Sequence, residues 1–192
     1  MKNRISSLDL LKGIAALFII WIHEQFPGTF GQLINRIGTF AVPIFFMVSG
    51  FFARYSTREK LTKSIRHILS LLSINYVLCF LRIYLGSSCS VAAVIQAVTD
   101  RLTVKELILF TVLNITRISG VAWFMFALLY CYILHWFFHK QVQDRRIFWL
   151  IPICFLSGQA VRFLLPSVGD HNIWFIGAPY YLCGQWFREN RT

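Results

Sequence analysis

Long apolar stretches constrain the fold of this chain more than any other feature of its sequence. A helix needs about 20 mostly apolar residues to cross a bilayer, because its backbone polar groups must be paired within the segment. Only 14% of the residues are charged, against about 25% in soluble domains. The sequence therefore predicts an all-α, polytopic transmembrane bundle. We predict six spans, over residues 6–25, 37–55, 67–86, 120–138, 147–166 and 173–188.

The segment 104–114 is apolar, but it is too short to cross the hydrocarbon core. We expect it to form an interfacial helix or a re-entrant piece that leads into the fourth span. Together with the six spans, it belongs to a single integral-membrane domain over 1–192.

Basic residues are distributed unequally between the two sets of loops. Cytoplasmic loops of membrane proteins carry the excess of lysine and arginine, so both ends of this chain are predicted to be cytoplasmic. The net charge is +11, but the basic residues form no continuous stripe, and we expect the bilayer rather than nucleic acid as a partner. The richer set has twelve members: Lys2, Arg4, Arg54, Arg58, Lys60, Lys63, Arg66, Lys140, Arg145, Arg146, Arg188 and Arg191. The other set has four: Arg36, Arg101, Lys105 and Arg117.

Two ionisable residues, Lys12 and His23, share one face of the first predicted span. Eleven residues make about three helical turns, so the two lie about 16 Å apart along the axis. Asp9, three residues before Lys12, can pair with it, and Glu24 adds a polar group beside His23. Histidine can accept a proton near neutral pH, which favours a catalytic site on this face of the helix. Alternatively, Lys12 reaches the headgroups and His23 lies in the outer interface.

The second span and the basic stretch after it contain a second set of candidates. Ser49 and Gly50 are small and allow another helix to approach closely. Lys63 and Arg66 are three residues apart, so they face the same way at the start of the third span. They could form an ordinary basic loop, or they could hold the phosphates of a nucleotide-like cofactor such as acyl-coenzyme A.

Trp123 and a histidine pair are further candidates, with simpler alternatives. Trp123 begins the fourth span, where tryptophan is usually an interface anchor, although it could also stack on a sugar. His135 and His139 have a helical spacing that suits a metal ion. Because the sequence shows no third ligand, we predict no metal site.

Five segments occur in order along the chain and together resemble the membrane-bound acyltransferase 3 family, whose members acylate cell-envelope sugars. They are "RISSLDLLKGIAALFIIWIH", "FFMVSGFF", "KSIRHIL", "AWFMFALLYCYIL" and "YYLCGQWFREN". The family's first helix has a basic residue and a histidine at the spacing of Lys12 and His23. Its Arg-x-x-Arg motif corresponds to Lys63 and Arg66, where lysine keeps the charge but loses the bidentate fork.

The resemblance implies an acyltransferase that moves an acyl group, expected to be acetyl, from cytoplasmic acyl-CoA to a hydroxyl of an envelope glycan or a lipid-linked sugar. It implies a bacterial plasma (inner) membrane as the location. His23 would act as general base or as an acyl carrier, and Lys12 is the second residue expected to contribute to catalysis. The other expected roles are donor binding by Lys12, Lys63 and Arg66, and substrate binding by Asp9, Glu24, Ser49 and Trp123.

Family members are usually longer, so we expect this chain to lack the family's C-terminal spans. Two other functions remain open from the sequence. One is a transporter of a glycan or a lipid-linked sugar, for which Pro43, Gly50 and Pro179 would supply helix breaks. The other is an inactive half-length assembly partner, in which a partner subunit supplies the remaining spans.

Overall fold

The computed structural model describes residues 6–24, 26–100, 103–114, 122–164 and 173–191, and all regular elements within them are helices. This confirms the all-α prediction for the described residues. A 3-10 turn, Arg145–Trp149, precedes α9, and a π-helical turn, Ile173–Gly177, precedes α10. The α-helices are α1 Ser6–Glu24, α2 Gly28–Gly38, α3 Ala41–Ala53, α4 Arg58–Gly86, α5 Val91–Thr99, α6 Val104–Leu113, α7 Ala122–Phe137, α8 His139–Gln143, α9 Leu150–Leu164 and α10 Ala178–Glu189.

Two helical segments of the described chain are long and apolar enough to cross a membrane. They are Gly28–Ala53, with 26 residues, and Arg58–Gly86, with 29 residues. Helix α7 is apolar but has only 16 residues. The six-span arrangement is therefore not confirmed by helix length and composition, and it stays a prediction. The short apolar segment 104–114 is helical, as α6.

The second predicted span begins earlier than expected, because α2 and α3 follow one another with only Thr39 and Phe40 between them. Both linking residues keep right-handed helical dihedrals. Pro43 has no N–H group with which to bond the carbonyl of Thr39, so the helical ladder is interrupted here. The result is one interrupted helical segment from Gly28 to Ala53.

The third predicted span also begins earlier, at Arg58 rather than at 67. Thr57 is its N-cap, and its side-chain oxygen accepts a hydrogen bond from the Lys60 backbone N–H. The basic stretch interpreted as a loop is thus the first turns of α4. A helix that leaves the hydrocarbon region can continue in water, where charged side chains cost little.

The packing is centred on α3. This helix packs most extensively against α10, and α1 packs against α3 and α2, whereas α4 packs mainly against α7. The main core joins α3, α4, α7, the π-helical turn and α10. Its buried members are Phe46, Ala53, Leu61, Ala127, Cys131, Ile173 and Tyr181.

Two glycines allow the α3–α10 contact. A Cβ atom on Gly50 would lie 1.9 Å from the Tyr181 carbonyl oxygen, and one on Gly184 would lie 1.8 Å from the Met47 carbonyl oxygen. Only glycine fits at either position, because the neighbouring atom is backbone. The prediction that Gly50 allows close helix contact is therefore confirmed.

Candidate functional site

Three basic side chains gather around two aromatic rings where α1 begins and where α3 and α10 end. The Phe51 and Phe52 ring centroids are 5.5 Å apart. The Lys12 ammonium lies 5.0 Å from the Phe52 centroid, and the Arg188 guanidinium lies 5.0 Å from the Phe51 centroid. Arg191 approaches Phe51 at 5.9 Å. We call Lys12, Arg188 and Arg191 the basic cluster; cation–π contacts hold these side chains near one another.

An apolar slot of 180 Å³ lies beside the basic cluster, between α1, α3 and α10. It extends along α3 from Phe51 to Ile44, which is about 10 Å at the rise of a helix. Its remaining lining residues are Leu8, Leu11, Met47, Val48, Gly184 and Phe187. The slot can hold a narrow, uncharged chain whose charged end remains among the cations.

Arg54 is a fourth cation at this end, but its guanidinium is already paired with groups of the protein. The side chain is 1% exposed. Its Nε lies 2.9 Å from Glu189 Oε2, and its terminal nitrogens donate to the carbonyls of Val142 and Gln143. The Gln143 side-chain amide donates in return to the Arg54 carbonyl at 2.8 Å. Arg54 therefore joins the ends of α3, α8 and α10 and is not available to a ligand.

Glu189 is the acid of this network, and it accepts from several partners. The Tyr55 hydroxyl donates to Glu189 Oε2 at 2.7 Å, and Arg145 Nε lies 3.9 Å from Oε1. The Tyr55 hydrogen bond, followed by that from Arg54, holds the pKa of Glu189 below its usual value. Because Glu189 is engaged in this way, it does not neutralise the basic cluster.

Comparison with known protein families identifies the family of this chain. A model of the acyltransferase domain of the acyltransferase 3 family matches residues 5–192. The chain belongs to that family. In general terms it is therefore a membrane acyltransferase, as the sequence resemblance indicated. No curated protein and no solved structure matches the chain.

The positions that correspond to the acyltransferase 3 Arg-x-x-Arg motif lie on α4, which packs mainly against α7. Lys63 Nζ forms an ion pair with Glu59 Oε1 at 3.0 Å, and the two side chains are 72% and 78% exposed. Arg66 is also exposed. Neither residue contacts the rings of the basic cluster among the described cation–π pairs, and their role in donor binding stays a prediction.

Four other predicted site residues occupy different surroundings. Asp9 is half-buried in the first turn of α1. Ser49 of α3 is also half-buried. Trp123 packs against the main core, and its carbonyl accepts from Asn114 Nδ2 at 2.6 Å. His23 and Glu24 are the last two residues of α1, but their side chains lie outside the described part of the structure.

His135, Tyr181 and Gln185 form a buried polar cluster that the sequence did not predict. His135 Nδ1 lies 2.9 Å from the Tyr181 hydroxyl and 3.4 Å from Gln185 Nε2. His139, the other member of the histidine pair, instead contacts the Ser56 carbonyl through Nε2 at 2.9 Å. The two histidines thus have separate hydrogen-bond partners. In the sequence, the four-residue spacing of Tyr181 and Gln185 in α10 could have indicated a polar pair on one helix face.

Proposed function

We propose that the chain transfers an acyl group, in the simplest case acetyl, from cytoplasmic acyl-CoA to a hydroxyl of an envelope glycan or of a lipid-linked sugar. The observation that carries this proposal is the acyltransferase 3 match over residues 5–192. The family supplies the reaction class, and the donor, the acceptor and the residue roles are our inference.

We place the chain in a bacterial inner membrane, with six spans and both ends in the cytoplasm. The basic cluster supports this orientation, since α1 begins where α3 and α10 end. The same end holds Arg54 and Arg145, so it is rich in the basic residues typical of a cytoplasmic surface.

The donor's phosphates would bind to the basic cluster, where arginine and lysine offer charge-assisted hydrogen bonds. Lys63 and Arg66 could add further contacts from α4. The pantetheine arm would then lie in the apolar slot between α1, α3 and α10. On α1 this slot is lined by Leu8 and Leu11, and along α3 it extends for about 10 Å from Phe51 to Ile44, which suits part of a long, narrow arm.

In the transfer step, His23 would remove the proton from the acceptor hydroxyl as its oxygen attacks the thioester carbonyl carbon. The new C–O bond forms, the C–S bond breaks, and the coenzyme A thiolate takes the proton from the His23 imidazolium. In a second version, the imidazole first carries the acyl group itself. Lys12 would stabilise the donor's negative charge, while Asp9, Glu24, Ser49 and Trp123 would contact the substrates.

The variant His23→Ala tests this function. Purified protein in liposomes is given acetyl-CoA with a labelled acetyl group, together with an envelope glycan fraction, and label in the glycan is measured. We expect His23→Ala to lose transfer while it still inserts and binds the donor. His67→Ala is the matched control, because His67 is exposed on α4 away from the slot, and it should transfer normally. Normal transfer by His23→Ala would contradict the assignment, and absence of donor binding by the native chain would favour the transporter or the assembly partner.

A further inference from the structure

Tyr55, in the turn that follows α3, presents an exposed aromatic residue beside the basic cluster. The residue is 56% exposed. Its hydroxyl donates a hydrogen bond to Glu189 Oε2 at 2.7 Å, which holds the far end of the ring in place. The acyl-transfer proposal gives this ring no role.

Tyr55 continues the face of α3 that forms one wall of the apolar slot. The α3 residues that line the slot recur at helical spacing: Ile44, Met47, Val48 and Phe51. Tyr55 is four residues after Phe51, so it lies one turn, about 6 Å, further along the same face. The helical rise continues to this point, because the Arg54 N–H donates to the Gly50 carbonyl at 3.1 Å.

Two arginines of the basic cluster lie near the end of the slot that is closest to Tyr55. The Arg188 guanidinium lies 5.0 Å from the Phe51 centroid and 5.9 Å from the Tyr55 centroid, so it contacts both rings. Arg191 approaches Phe51 at 5.9 Å. Along this face of α3, the order is therefore the apolar slot, the cations and then the aromatic ring.

Acyl-CoA has its parts in the same order, namely a narrow acyl-pantetheine arm, a group of phosphates and a flat adenine base. With the arm in the slot and the phosphates at the basic cluster, the base lies beyond the cations. Tyr55 offers a flat aromatic surface on that side. The match between the two sequences of parts indicates a contact between the ring and the base.

The Tyr55 ring is less closely covered by cations than the neighbouring rings. Phe51 and Phe52 each have a cation 5.0 Å from the ring centroid. The guanidinium groups of Arg54 and Arg188 lie 5.9 Å from the Tyr55 centroid, close to the limit of about 6 Å for such contacts. The ring is thus accessible, and because its hydroxyl is already held, it loses little conformational entropy when a ligand binds.

We propose that the Tyr55 ring stacks on the adenine base of the acyl-CoA donor. This inference rests on the proposed function and makes it more specific. Aromatic side chains stack on nucleotide bases through the flat faces of both rings, while Arg188 is placed to meet the phosphates. The chain then favours free acyl-CoA over an acyl group on a phosphopantetheine arm without a nucleotide, such as that of a carrier protein.

An analogue of acetyl-CoA in which hydrogen replaces adenine isolates the base contact, because it keeps all three phosphates and the pantetheine arm. Binding of both ligands to the purified full chain in nanodiscs is measured by isothermal titration calorimetry. The native protein should bind acetyl-CoA at least about fivefold more tightly than the analogue, since the analogue has no base to stack. Tyr55→Leu should bind the two ligands equally.

Two further variants separate the ring from its hydrogen bond and from general effects. Tyr55→Phe keeps the ring and should keep the preference for acetyl-CoA; loss of the preference would assign the effect to the hydroxyl and overturn the stacking contact. Trp149→Leu is the matched control, because Trp149 is 74% exposed on the 3-10 turn and does not line the slot. This variant should bind both ligands like the native protein.

The comparison of ligands distinguishes failure of this inference from failure of the proposed function. Equal binding of the two ligands by the native protein would overturn the base contact and leave acetyl-CoA as the donor. A preference for acetyl-CoA that persists in Tyr55→Leu would place the base elsewhere and would overturn it as well. If the native protein bound neither ligand, the donor assignment itself would be wrong.

Discussion

Replacing Gly50 by alanine perturbs the closest contact between two helices of this fold. The new Cβ would lie 1.9 Å from the Tyr181 carbonyl oxygen, whereas ordinary contacts begin at 3.4 Å. The obstacle is helix backbone, which cannot rotate away as a side chain can. Helices α3 and α10 must therefore separate by about 1.5 Å along this contact, the difference between an overlap and an ordinary van der Waals distance.

The expected cost is at the upper end of the range for overpacked cores, a decrease of about 3 kcal/mol in the free energy of unfolding. The separation also changes the site, because α3 carries Phe51 and α10 carries Arg188, which stack 5.0 Å apart. We therefore expect Gly50→Ala to bind acetyl-CoA more weakly as well.

Unfolding by sodium dodecyl sulfate, followed by circular dichroism in mixed micelles, measures the change. Gly86→Ala is the matched control, since a Cβ there meets nothing within 4 Å, and alanine in a helix should be neutral or stabilising by up to about 1 kcal/mol. If Gly50→Ala were as stable as Gly86→Ala, the α3–α10 contact described here would be wrong.

Three further predictions concern buried polar contacts. Arg54→Leu should lower the free energy of unfolding by about 3 kcal/mol, because it removes the buried partner of Glu189 and the side-chain donor of the Val142 and Gln143 carbonyls; detergent unfolding measures this. The folded-state pKa of Glu189 is lowered from 4.5, so its contribution is present above that pH and is lost as the pH falls through the lowered value. Glu189→Gln should remove this acid dependence, and an unchanged pH profile would contradict the network. Tyr181→Phe should cost about 1 kcal/mol in the same unfolding assay, because it removes the buried hydroxyl that lies 2.9 Å from His135 Nδ1.

Local sequence was sufficient for those features that depend on neighbouring residues. Apolar stretches located the main helices, and Gly50 correctly indicated a close helix contact. Helix limits were less accurate. The charged stretch at Arg58 was interpreted as a loop, although its Thr57 cap and the following residues form the first turns of α4.

Contacts between distant residues could not be predicted. Arg54 follows a span and looks like an ordinary basic residue at a membrane surface, but its acid partner is 135 residues away. The same applies to Gly184, whose fit depends on the carbonyl of Met47. For the site, the sequence indicated Lys12 as a candidate. Arg188 and Arg191 contributed only to the prediction of which membrane side is cytoplasmic. Only the fold shows that these two residues share the Phe51 ring.

Equilibrium binding of acetyl-CoA to the purified protein tests the central claim most directly, namely that the basic cluster holds the donor. The account predicts that Lys12→Ala and Arg188→Gln each weaken binding, and that binding falls with rising salt. Lys140→Ala, which removes an exposed cation outside the cluster, should bind like the native protein. Equal binding by the native protein and the two cluster variants would contradict the account.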